Sequence, residues 1–131
     1  MEHAEKVQHW LDMADSDSKT MEHLFQSGDY LWCLFLGHLV LEKTLKALFI
    51  QKTGNEPPRI HDLARLADEC GLELPDEKYE RLLYFTQFNI EARYPKYREE
   101  ISKRCTKEFT AKIQSEMKET RAWLGQLIRK S

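Results

Sequence analysis

Helix-breaking residues are scarce in this chain. Its 131 residues include five glycines and four prolines, and apart from Gly37 and Gly125 these fall at the ends of periodic segments rather than inside them. No stretch alternates apolar and polar residues as a half-buried strand does. Neither an internal repeat nor a low-complexity segment is present. Cysteine is sparse as well: Cys33, Cys70 and Cys105 are widely spaced and form no CxxC pair. That argues against a thiolate zinc site and a disulfide framework, and the three read as reduced thiols in a cytoplasmic protein. Charge of one sign is also lacking. A net charge of -2 provides no global pull toward nucleic acid or an acidic membrane. The N-terminal "MEHAEKVQHW" has no apolar signal core, and the chain has no histidine beyond His61.

One long hydrophobic run is present. Tyr30 to Leu41, "YLWCLFLGHLVL", is apolar except for Gly37 and His38, and "LEKTLKALF" follows from Leu41. Tyr30 to Ile50 has the length of a membrane span. Glu42, Lys43 and Lys46 lie inside it, and each would cost roughly 2.5–3.5 kcal/mol on insertion. The segment therefore reads as a buried helix of a non-membrane protein.

The remaining periodicity is helical. Over residues 3–27, Ala4, Val7, Leu11, Ala14, Met21 and Phe25 recur at spacings of three and four, with Ser18 filling the gap. Gly28 is a stop for this helix and Asp29 a cap for the next, over 30–52. Gly54 ends that one, and "TGNEPPRI" is a loop. "HDLARLADECG" predicts a short helix. Pro75-Asp76 opens a fourth over roughly 76–90, with Tyr79, Leu82, Leu83 and Thr86 on one face. The pattern breaks at Pro95, and a closing helix runs from about Thr106 to Arg129. The expectation is one all-α domain spanning 1–131, an up-and-down bundle of about five helices.

Projecting the second helix at 100° per residue places Leu34, Leu45 and Leu48 within about 40° of Leu41, on a core stripe. The arc from about 80° to 200° is different. It carries Trp32, Phe35 and Leu39 in its first half and Glu42, Lys43 and Lys46 in its second. Either Glu42 and Lys46 form a surface i,i+4 pair with Lys43 solvated, or the apolar half meets a second subunit and the charged half rims that interface or a ligand cleft.

"LEKTLKALF", then "HDLARL" after eleven intervening residues, then "ARYP" resemble the signature of HEPN (higher eukaryote and prokaryote nucleotide-binding) domains. Trp10 in the first helix and the "GDY" at Gly28–Tyr30 extend the likeness over nearly the whole chain. The resemblance implies a helical bundle, a homodimer, a small nucleotidyltransferase as partner in a toxin–antitoxin-like module, and either nucleotide binding or RNA cleavage. The family's ribonuclease motif is an arginine followed four to six residues later by a histidine. Here the first arginine, Arg59, precedes His61 by two, so that motif is absent and an enzyme is disfavoured.

Candidate site residues follow from both readings. His61 and Asp62 either start a helix, with Asp62 complementing its dipole, or place His61 in a cleft with Lys43 or Lys46. Arg93 and Tyr94 precede Pro95, which restricts Tyr94 to an extended backbone. From 93 to 107, six basic residues stand against Glu99 and Glu100, a local +4. That segment either binds phosphate, with Tyr94 and Tyr97 stacking on a base, or is a solvated loop pairing with the acidic first helix. His38 and Glu42 are one turn apart, but no further ligand stands at a metal-binding spacing, so a core or interface histidine held by Glu42 is the simpler reading. No cofactor motif is present. Three functions remain: a homodimeric binding module with Lys43, Lys46, His61, Asp62, Arg93 and Tyr94 at a nucleotide or RNA site and Trp32, Phe35 and Leu39 at the dimer interface; a ribonuclease using Arg93 and His61; and a purely structural dimer.

Overall fold

The computed structural model describes residues 2–130, with the side chains of Arg129 and Lys130 excepted. Six helices and no strand occur among them: α1 (His3–Gln26), α2 (Tyr30–Thr53), α3 (Leu63–Glu69), α4 (Asp76–Arg93), α5 (Pro95–Arg104) and α6 (Lys107–Lys130). No helix among the described residues is long and apolar enough to cross a membrane.

α2 is the axis of the bundle, and every other helix packs on it. Its near-continuous apolar sequence suits that position, because a helix packed against five others has little surface to give to water. Leu34, Leu41, Leu45 and Leu48 are fully buried in the main core with Leu63, Leu66, Leu82, Phe85, Phe88, Ile101 and Leu124. Val7, Ala47 and Ile50 form a smaller cluster under Trp10, Leu11 and Ile128. α1 returns antiparallel to α2 through Gly28, which takes φ +83°. Gly54 closes α2 in the left-handed conformation, its N–H donating to the Ile50 carbonyl at 2.8 Å. α6 runs alongside α2 in the same direction: its Met117 lies over Gly37, and the Ile128 carbonyl accepts from Gln51 Nε2 at 2.9 Å.

Three local expectations are revised. α4 continues to Arg93, and Pro95 opens a helix rather than a loop, so there are six helices among the described residues. Tyr94 is extended as expected (φ -108°, ψ 118°), but proline at the first helical position costs nothing, since the N–H it lacks would have no partner there. Asp29 holds the N-cap position of α2 without a side-chain cap bond; its carboxylate accepts from the Ser27 hydroxyl at 2.8 Å. Leu83, assigned to the core face of α4, is 49% exposed, while Phe85 and Phe88 fill the core.

Candidate functional site

Two groups of polar residues stand out. The first is centred on Glu42, which is only 5% exposed. Lys46, one turn on, donates from Nζ to Glu42 Oε2 at 3.0 Å, and His61 donates from Nδ1 to Oε1 at 2.9 Å. His38, one turn back and fully buried, donates from Nε2 to the His61 carbonyl at 2.7 Å. A carbonyl only accepts, so the proton of neutral His38 sits on Nε2. Its Nδ1 lone pair then has no partner and lies 3.8 Å from Glu42 Oε1. Burial, the largest influence, lowers the His38 imidazole from 6.5 to about 4, because the charged ring would lose its hydration. The loop between α2 and α3 brings His61 here. Asp62, next to it, accepts from the Arg65 N–H at 3.2 Å and caps α3.

The charged half of the α2 arc is therefore covered within one chain. Lys46 is 7% exposed and lies under the Trp10 ring of α1, 5.5 Å from its centroid. Lys43 pairs with Asp17 of α1. Neither partner was visible in the sequence, since both come from the other helix of the α1–α2 hairpin. Only helix phase could have flagged them: Trp10 and Asp17 are seven residues apart on α1, as far as two turns carry the same face. The His61 side chain stays half exposed, and its Nε2 has no protein partner among the described residues. With its proton on Nδ1, held by the carboxylate, the neutral ring presents an Nε2 lone pair that can accept a hydrogen bond or a proton from a ligand.

The second group is the corner between α4 and α5. Arg93 donates to Asn89 Oδ1 at 3.3 Å, and Arg98 Nε donates to the Ala92 carbonyl at 2.8 Å while its guanidinium lies 5.5 Å from the Trp32 ring centroid. Among the described residues, Arg93, Lys96 and Arg98 at this corner, and Arg104 and Lys107 at the far end of α5, make no ion pair, while Lys103 pairs with Glu99 at 4.0 Å. Tyr94 and Tyr97 are exposed at the corner, with Lys96 Nζ 5.7 Å from the Tyr97 ring centroid. Two cations further along α6 behave differently: Lys118 and Arg121 are both paired, with Glu22 and Asp15 of α1.

His38, Glu42, Lys46 and His61 thus come together, whereas Lys43 and Asp62 point to other partners and Arg93 and Tyr94 belong to the separate corner. Trp32 is exposed and packs edge-on against Phe35 at 5.5 Å, with Leu39 partly buried further along α2. A second apolar strip, not foreseen, runs along α4 through Leu83, Ile90 and Tyr94, the last two 50% and 55% exposed. No group of three or more histidine, cysteine, aspartate or glutamate side chains among the described residues is arranged to hold a metal. The cysteines are buried, and desolvation pushes the Cys33 thiol up to about 12 and the Cys70 thiol up to about 11.

The crystal structure of TT1696 from Thermus thermophilus has the same fold. It superposes with a TM-score of 0.77 at 18% identity, over 92% of this chain and 97% of that one. A comparison with curated protein sequences gave no match. The family model described as HEPN domain matches residues 7–127, an interval holding the Glu42 cluster, the "HDL" that caps α3 and the basic corner, and so the chain belongs to the HEPN-domain family.

Proposed function

We propose that this protein is a cytoplasmic, homodimeric HEPN partner module that works with a small nucleotidyltransferase and binds a phosphate-bearing ligand, a nucleotide or RNA, at the α4–α5 corner. The observation that carries the ligand class is the set of cations there without ion pairs, beside two exposed tyrosines. In a chain with net charge -2, such a concentration attracts phosphate locally, and the tyrosines offer base-stacking faces. Arg93 and Tyr94 contact the ligand in this reading. Lys43, Lys46 and Asp62 act at one remove, fixing α1 and α3 around His61, whose side chain is half exposed. The homodimer rests on the family resemblance and on two apolar patches that a second copy would cover, Trp32–Phe35–Leu39 on α2 and Leu83–Ile90 on α4. The nucleotidyltransferase partner rests on family membership.

Calorimetry with a panel of nucleotides and short single-stranded RNAs tests the ligand site. Binding is expected for at least one, weakened roughly ten-fold or more by Arg93→Ala. No heat with any of them would leave only a structural role. A second reading, ribonuclease action with Arg93 and His61, is favoured by the His61–Glu42 hydrogen bond, which orients the ring as a base. RNA cleavage by the purified protein, lost on His61→Ala, would select it.

A further inference from the structure

A cavity of about 600 Å3 lies between α1 and α6, with α2 as its floor. Among the described residues the two wall helices do not pack along each other; each rests on α2 instead. Met21 and Met117 close one end over Gly37, where a Cβ would overlap the Met117 sulfur. Leu11 and Ile128 close the other. Leu11 and Met21 are ten residues apart on α1, so the trough is about 15 Å long. The trough is open along one side, and its volume falls in the size range of small-molecule sites.

The polar groups of the lining define what can occupy it. Gln8 donates to Asp12 at 2.8 Å, and the Thr44 hydroxyl donates to the Val40 carbonyl at 2.8 Å. At the rim, Asp15 pairs with Arg121 and Glu22 with Lys118, so two ion pairs strap α1 to α6 across the opening. Among the described residues, Ser18 is the one polar lining side chain without a partner. A charged ligand would have to break a strap to find its counter-charge, and a ligand with many polar groups would find them unmatched. We propose that this trough is a binding site for an uncharged, elongated, mostly apolar small molecule, with Ser18 available for a single hydrogen bond. The site is on the opposite side of α2 from Glu42 and is independent of the phosphate-binding reading.

Nile red, an uncharged dye, provides the test with the full chain. Wild-type protein is expected to bind it and to shift the methyl resonances of Met21, Met117 and Val40. Gly125→Leu and Ser18→Leu each fill the trough. A Cβ at Gly125 has nothing within 4 Å, and leucine favours the helix over glycine, so Gly125→Leu is expected to melt no lower than wild type while binding the dye roughly ten-fold more weakly. Decanol should displace the dye at lower concentration than decanoate. The proposal is overturned if wild type takes up no dye, if the shifted methyls are those of Leu83 and Ile90, if a folded filling variant binds as tightly as wild type, or if decanoate competes better than decanol.

Discussion

Glu42 takes a negative charge into a corner where water is nearly excluded, and it holds there because Lys46 and His61 each give it a hydrogen bond. Removing the carboxylate would strand the Lys46 ammonium with only the Trp10 face for company. Breaking a buried pair from one side costs several kcal/mol, so Glu42→Gln is expected to lower unfolding free energy by about 3 kcal/mol, read as a fall in the urea midpoint. His38 makes a complementary prediction. Its folded value of about 4 lies below the ordinary 6.5, so the unfolded chain binds the additional proton between those pH values. The stability associated with neutral His38 is fully present above about pH 6.5 and is lost as pH falls toward 4, amounting to about 3 kcal/mol. Urea midpoints between pH 7 and pH 4 should fall more steeply for wild type than for His38→Gln, which keeps a donor for the His61 carbonyl. Equal slopes would mean that His38 is not the group being titrated.

At the scale of elements, α3 and α5 depend on their ends more than on their lengths. α3 has seven residues, too few to be stable alone, and Asp62 satisfies one of its free N–H groups. Asp62→Ala should cost about 1 kcal/mol in denaturant titration. It should also loosen His61, measurable as faster amide exchange at the start of α3. α5 escaped the sequence reading for a physical reason. It buries only Ile101, so it has no apolar stripe to register, and a proline before a charged segment marks a break and a helix start equally well. Asp62 as a helix-start residue was legible because capping is a local interaction between neighbours.

For the whole molecule, the proposed homodimer would cover one of the two apolar patches. A homodimer using the α4 strip predicts that Ile90→Glu yields a monomer in sedimentation at micromolar concentration, with the helical spectrum unchanged, because Ile90 contributes little to the core of its own chain. If Trp32→Glu dissociates the dimer and Ile90→Glu does not, the α2 patch is the interface. A wild-type monomer would remove both. The two patches differ in how visible they were. Trp32, Phe35 and Leu39 stand out as surplus apolar area on a helix that already supplies the core. Leu83 and Ile90 do not, because on α4 apolar residues occur all round and only packing shows which of them the core leaves out.

The sequence by itself determined the helical class, the central place of α2, the turns at Gly28 and Gly54, and the family, because periodicity, helix ends and motif order are properties of neighbouring residues. It also ranked Glu42, Lys43 and Lys46 as the unusual charges. Only the tertiary structure decided what those charges do. Glu42 is enclosed with Lys46 and His61 and Lys43 is tied to Asp17, while Arg93, Lys96 and Arg98 stay without ion pairs and a trough opens between α1 and α6. Each of these outcomes depends on how helices far apart in sequence meet across α2, and that meeting is set by side-chain volume in three dimensions, which helical periodicity along the chain does not encode.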